Sequence, residues 1–404
     1  MTATRTEEPA VRRPEAVVSG AVDDLDARLA EVTEVTEAHL AHTDQDAAFP
    51  VEALTALRRT GLLGLLVPTG HGGLGGGVRD LVTAAERLGR ADMSVAMIFA
   101  MHCQQAAALV RYTGPQLAAA LLPRVARGEV YLASVTTEAD KGGHLGTAQA
   151  QLADRAGLLE IDRFAPIVTG GAHADGFLVT MRAAGEATAH EVSLVYADRE
   201  QLRVEGSGDW QPMGMRASHS VPLRLTGQVP AHQVIGRPGH FHEIAADVFG
   251  PLAHLGWSAA WLGTAAGALS RVLRMLRSPS GRERFDVGSE LLLTRLSRAR
   301  QGLDAVHALL QQALTVVESG TDLSRPAPQL LLNSLKVTAS EQCLASVDEL
   351  VEAVGLRHGY LKDSPTRLEL ALRDLRSASL NYHNDRLHLA DGRLALRDQG
   401  VTFA

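Results

Sequence analysis

Cysteine occurs twice in this chain and aromatic residues make up only 4% of it. The two thiols, Cys103 and Cys343, lie far apart in apolar helical surroundings, which excludes a disulfide framework and a cysteine-based metal centre and fits a reducing cytoplasm. The histidines show neither an H-E-x-x-H run nor paired ligand spacing, so no metal is expected. No apolar run nears the roughly 18 residues that cross a bilayer, and "MTATRTEEPAVRRPEA" has acidic residues and proline where a signal peptide needs an apolar centre. Residues 1–21 are therefore expected to be a disordered tail, and no membrane partner is expected. Nucleic acid is excluded as well: the formal net charge is -7, the pI is near 6.1, and the arginines are scattered and form no stripe. Lysine is scarce beside abundant Ala, Gly, Leu and Arg, a composition that points to a GC-rich bacterial genome.

What is present is core-forming sequence. With 404 residues, 46% hydrophobic and 21% charged, the chain buries a large core in two or three domains. Apolar residues recur at three and four spacing from 22 to 129, in stretches such as "PVEALTALRRTGLLGLL" and "VRDLVTAAERLGRADMSVAMIFAMHCQQAAALVRY", which predicts a helical domain. Its break "VPTGHGGLGGG" cannot continue a helix, since each glycine costs roughly 1 kcal/mol relative to alanine there. That run lacks a following Lys-Ser/Thr, so it is no P-loop. Residues 130–238 hold short Val-, Leu-, Thr- and Ile-rich runs punctuated by Gly, Asp and Pro, the signature of an antiparallel β domain. Helical periodicity returns over 239–404 in four long stretches, predicting a C-terminal four-helix bundle. The fold class is α+β.

Two segments point to a ligand. "VYLASVTTEADKGGHLG" and "FAPIVTGGAHADGFLVT" put hydroxyls and glycines at the ends of β-rich runs, where amides and Thr side chains can line a flat, polar ligand edge. These segments, with "WQPMGMRASHSVPLRL", "VPAHQVIG", "GRERFDVG" and "EAVGLRHGYLKDSPTRLELALRDLRSA", resemble the acyl-CoA dehydrogenase superfamily in order and spacing from about Phe49 to about Leu396. The resemblance implies a flavin between the β domain and the C-terminal bundle, FAD or alternatively reduced FMN. It implies an acyl-CoA or acyl-carrier-protein substrate and a homodimer or homotetramer.

The resemblance also implies roles residue by residue. Thr136, Thr137 and Glu138 match the strand that holds the isoalloxazine, and Val168 and Thr169 match the second flavin-contacting turn. Taken alone, Thr136 and Thr169 also fit ordinary sheet positions. Arg282 matches the arginine that reaches the flavin pyrophosphate of a neighbouring subunit; a guanidinium fork suits phosphate. Phe285 would pack beside the adenosine, and Gly355 matches the loop under the neighbour's adenine diphosphate. His102 matches a position near the flavin, although a histidine on an apolar helix also fits the core.

One position departs from the pattern. Dehydrogenases of this family need a carboxylate to take the proton α to the thioester. Counting from Arg373-Asp374, that glutamate falls at Tyr382, whose ordinary pKa of about 10 makes it a poor base. The alternative position falls at Ala253-His254. The resemblance leads first to α,β-dehydrogenation of an acyl thioester, with Asp385, one helical turn after Tyr382, or His254 or His383 as the base. The alternative is a flavin monooxygenase of the same fold, which dispenses with the carboxylate, and the third reading is a flavin- or acyl-binding scaffold without turnover.

Overall fold

The computed structural model describes residues 22–139, 144–206 and 208–401. The tail expected over residues 1–21 and the Asp140–Gly143 part of the Thr-rich motif lie outside them. Five helices come first: α1 (Leu25–Asp46), α2 (Val51–Arg59), α3 (Val78–Ala91), α4 (Met93–Tyr112) and α5 (Pro115–Ala126). Asp92 starts α4 by accepting from the Ser94 and Val95 amides, two of the donors a helix start leaves unpaired. Helix α4 corrects one expectation from the sequence. Its 20 residues are long and apolar enough to cross a membrane, but the apolar window is 89% buried inside the protein and forms its core.

Among the described residues eight strands follow: β1 (Leu132–Val135), β2 (Ala153–Arg155), β3 (Leu158–Val168), β4 (Gly176–Arg182), β5 (Val192–Asp198), β6 (Leu202–Gly206), β7 (Val221–Pro230) and β8 (Val234–Ile235). They form two four-stranded sheets, in the orders β1-β4-β5-β8 and β2-β3-β7-β6. Pairing is antiparallel except between β1 and β4, which run parallel. Alternation along a strand reports which face is buried and not the direction of the neighbour, so the sequence could not show this.

The C-terminal part holds α6 (Phe241–Ile244), α7 (Gly250–Arg277), α8 (Pro279–Arg284), α9 (Glu290–Glu318), α10 (Pro326–Gly355), α11 (Leu368–Leu375) and α12 (Asn384–Ala395). Three of these are long, not four: the final stretch is broken by a run of turns between α11 and α12. Helices α3 and α7 cross at backbone contact. A Cβ on Gly263 would lie 2.1 Å from the Glu86 carbonyl, and one on Gly89 would lie 2.4 Å from that of Ala260. The three parts of the chain meet at one buried junction. Arg373 of α11 grips Asp44 of α1 with two bonds of 3.0 and 2.8 Å, and Asp374 accepts from the Met215 amide at 2.6 Å.

Candidate functional site

The two Thr-bearing strand ends form one surface. Thr136 and Thr137 follow β1, Val168 closes β3, and Thr137 Oγ1 donates to the Ile167 carbonyl at 3.0 Å. A register shift between Ala165 and Val168 lets the end of β3 turn there, the usual role of a bulge beside a site. Thr169 Oγ1 lies 3.0 Å from Ser220 Oγ, which lies 2.9 Å from Ser218 Oγ, giving a row of hydroxyls. Ser218 and Ser220 escaped the sequence reading, although they lie within the quoted "WQPMGMRASHS" motif.

Glu138 plays a different part from its threonine neighbours. It is buried, accepts from the Gln149 and Ala150 amides, and stands 3.4 Å from the buried guanidinium of Arg163. Arg163 donates to the carbonyls of Thr137 (2.7 Å) and Thr180 (3.2 Å), which pins the β1 end from beneath. Burial lowers the pKa of Arg163 and the charge of Glu138 opposes that. The buried pair thus fixes Thr136 and Thr137, which stay half-buried, while Ile167 beside them is 51% exposed. Half-buried hydroxyls next to an exposed apolar side chain fit a ring system with one polar edge and one apolar edge, which is the shape of an isoalloxazine.

At the other expected site, Tyr382 sits on a turn in the left-handed conformation, with φ 50°. Its carbonyl accepts from Lys336 Nζ of α10 at 3.0 Å, and the same ammonium donates to Asn384 Oδ1 at 2.7 Å. Lys336 is fully buried and lies 5.7 Å over the Trp261 ring; burial pulls its pKa from 10.5 to about 8, against the charge of Glu341. Burial raises the Tyr382 phenol above its ordinary value. The sequence signal for Lys336 is a lone lysine in a long helical stretch that holds no other lysine or arginine.

Asp385 does not join Tyr382 on one face. Helix α12 begins only at Asn384, and the left-handed residue before it breaks the one-turn relation the sequence suggested. The Asp385 side chain is 86% exposed, 3.4 Å from His383 Nδ1. His102 is a core residue: Nε2 bonds the Leu63 carbonyl at 2.8 Å and Nδ1 accepts from the Leu132 amide at 3.1 Å. With both nitrogens engaged and burial lowering its pKa to about 4, it stays neutral and tethers β1 to α4. His254 is also buried, its pKa lowered to about 4 by burial and by Lys336, and its ring bonds the Leu332 backbone.

A third group lies apart on the surface. The Arg282 side chain is exposed and makes no ion pair or hydrogen bond among the described residues, and the Phe285 ring lies 5.6 Å from that of His358. Gly355 ends α10 at φ 69°, a conformation that favours glycine, with Leu356 and Tyr360 exposed beside it. The fold therefore brings the α8 end and the Gly355 loop together. A further cluster departs from the expected lack of paired ligand spacing: ligand atoms of His240, His242 and Glu243 lie within 4.8 Å of one another. The Glu243 carboxylate there is already held by Arg237.

A hydroxyl-lined strand end, joined to a helical bundle with a half-buried turn in place of a carboxylate, defines a flavin-holding protein of the helix-sheet-helix kind. Residues 25–129 match the acyl-CoA dehydrogenase N-terminal domain and residues 255–385 match the acyl-CoA dehydrogenase C-terminal domain. The chain belongs to the acyl-CoA dehydrogenase family, a family of flavoproteins, generally oxidoreductases, that use FAD or FMN. It is 23% identical over 353 residues to the acryloyl-CoA reductase (NADH) of Anaerotignum propionicum, covering 85% of this chain and 86% of that one. Many solved structures share the fold, two of them as follows. The FMN-bound TdsC of Paenibacillus sp. A11-2, a dibenzothiophene monooxygenase, has a TM-score of 0.83 at 21% identity over 94% of this chain and 98% of that one. Butyryl-CoA dehydrogenase of Megasphaera elsdenii has a TM-score of 0.82 at 18% identity over 94% of this chain and 100% of that one.

Proposed function

We propose that the protein is a flavin-dependent monooxygenase. Reduced flavin supplies two electrons and two protons, one atom of O2 enters the organic reactant, and the other leaves as water. The observation that carries this reading is the chemistry around Tyr382. Neither position where the family places its α-proton base bears a carboxylate, and Asp385 stands in water. The neighbouring titratable groups are poor substitutes. His254 holds a lone pair of low basicity, and the Lys336 ammonium is committed to Tyr382 and Asn384. Among the described residues the carboxylate beside that turn, Glu341, is already engaged by the Asn384 amide at 3.0 Å, which leaves proton abstraction next to a thioester poorly served, whereas oxygen transfer requires no carboxylate.

In this reading Thr136, Thr137, Val168 and Thr169 hold the isoalloxazine. Buried flavin carbonyls and ring nitrogens need hydroxyl and amide partners, an unmet group costing about 1–3 kcal/mol. The exposed Arg282 and Gly355 and the half-buried Phe285, with apolar Leu356 and Tyr360 alongside, support a dimer in which each subunit completes its neighbour's flavin site.

Two measurements decide the reaction. The first is incorporation of 18O from labelled O2 into an organic product when the protein is mixed with reduced flavin. The second is anaerobic bleaching of bound flavin by butyryl- or octanoyl-CoA. Stoichiometric bleaching by a thioester without air would make the protein a dehydrogenase and end the monooxygenase reading.

A further inference from the structure

The C-terminal part opens with the sequence "GHFHEI" at residues 239–244, and the helix that starts there runs on without a break into α7. Phe241 and Ile244 are buried, and the Phe241 ring meets that of Phe249 edge-on at 5.1 Å. These two apolar residues take the inner face of the first turn, so His240, His242 and Glu243 are left toward solvent. The segment is also held to the sheet. His240 forms a parallel bridge with Val192 of β5, and the Gly239 amide donates to Ser193 Oγ at 2.9 Å. Ligand atoms of the three polar side chains lie within 4.8 Å of one another on this anchored backbone.

The His240 ring has no structural task that explains it. The residue stands at the N-cap of α6, yet its side chain makes no capping bond. Its Nδ1 is closed to water and has no hydrogen-bond partner among the described residues. Glu243 Oε1 is 3.7 Å away, too far for a hydrogen bond, and the His242 ring lies 5.5 Å off between centres. His42 shows the ordinary alternative, a surface histidine paired with Asp46 at 2.9 Å. A nitrogen shut off from water beside a second imidazole and a carboxylate is a set of donors arranged for a cation. We propose that His240, His242 and Glu243 hold one zinc ion at the junction of the sheet and the C-terminal helices.

Size and ligand type both favour zinc. Its bonds to nitrogen and oxygen are about 2.0–2.2 Å long, so ligands placed tetrahedrally around it stand about 3.3 Å apart. An ion therefore fits between groups too close to admit water, and the 3.7 Å from His240 Nδ1 to Glu243 Oε1 is near the required spacing. The exposed His242 side chain closes the remaining gap by rotation, and water takes the fourth position. Imidazoles suit zinc, whereas magnesium asks for oxygen ligands in octahedral array. Arg237 donates to Glu243 Oε1, and its side chain is 57% exposed. A ligating carboxylate ordinarily keeps such an outer partner, and its second oxygen remains for the metal. The ion ties β5, through His240, to the first turn of the helix. None of this depends on the monooxygenase reading.

The test uses the flavin-loaded protein, freed of metal with EDTA, desalted, and titrated calorimetrically at neutral pH with zinc chloride and separately with magnesium chloride. The parent is expected to take one zinc per chain with a Kd below about 20 µM and to show no heat with magnesium. His242→Ala is expected to bind zinc at least about tenfold more weakly, since it removes one of three ligands and leaves the anchored backbone alone. Zinc at about a hundred times its Kd should raise the melting temperature of the parent by about 2 °C or more and leave that of the variant unmoved. Glu243→Gln, which keeps the shape and deletes the charge, gives the same comparison should the first variant fail to fold. A parent Kd above about 20 µM overturns the proposal. Zinc bound by both variants as tightly as by the parent does so too, because the ion would then sit on other histidines.

Discussion

Replacing Lys336 with methionine keeps an unbranched side chain over Trp261 and deletes the ammonium that holds the Tyr382 turn. Two opposing terms set the outcome. Burial has lowered the lysine pKa from 10.5 to about 8, so the charged form at neutral pH is disfavoured by about 3 kcal/mol, which methionine recovers. Against this, the Tyr382 carbonyl and Asn384 Oδ1 each lose a charge-assisted bond, at about 1.5–3 kcal/mol apiece. Global stability should thus change by no more than about 3 kcal/mol, as is common when a buried charge gives way to an apolar residue. The turn itself bears the whole loss, because it has given up its anchor while the recovered energy belongs to the helix bundle. Opening of the segment from Leu380 to Arg386 should become roughly 10- to 100-fold easier, read as faster amide hydrogen exchange there by mass spectrometry. The pH dependence supplies a second readout. Unfolded lysine keeps its proton up to about 10.5, whereas the folded site releases it near 8, so stability of the parent rises across that window. The variant lacks that rise. Exchange within threefold of the parent over 380–386, or global unfolding at neutral pH, would refute the clamp.

Three other expectations follow from the same geometry. His102 and His254 have pKa values lowered to about 4 and contribute stability that is present above 6.5 and lost as pH falls through 4. Buried Asp374, raised to about 8 by burial and by Asp92, contributes stability that is lost as pH rises from 3.8 through 8. At about 1.4 kcal/mol per proton per pH unit, the slopes cross to give a local maximum near pH 6.5, below the rise that Lys336 brings above 8, and Asp374→Asn should flatten the fall between 6.5 and 8 in urea titrations; an unchanged profile would contradict the assignment. Gly263→Ala places a Cβ 2.1 Å from the Glu86 carbonyl, and forcing α3 and α7 apart should cost about 3 kcal/mol or more in the same titration. Arg282→Met should weaken FAD about 10- to 100-fold and leave FMN within threefold in fluorescence titrations, because only FAD carries a pyrophosphate; equal loss for both would place Arg282 elsewhere.

Local pattern was enough to read a great deal of this protein. The succession of helices, strands and helices follows from periods of 3.6 and 2, which each segment carries by itself. The two Thr-bearing strand ends were legible as separate motifs because hydroxyls and glycines at strand ends have few uses. Their union was not: the bond from Thr137 to the Ile167 carbonyl joins residues thirty positions apart.

What only the tertiary structure decided is which neighbour each polar group meets. His102 looked like a flavin-side histidine until the Leu63 carbonyl and the Leu132 amide claimed both of its nitrogens. Asp385 looked like a base because helical spacing was carried through Tyr382, where a left-handed residue in fact interrupts it. Nothing in the local sequence says what Lys336 meets, yet it anchors the turn that stands where a carboxylate was sought. Periodicity states which face of a segment is buried, and it is silent on what lies across from that face. Hydrogen bonds and pKa values depend on that opposing surface, so they are fixed only when distant segments pack.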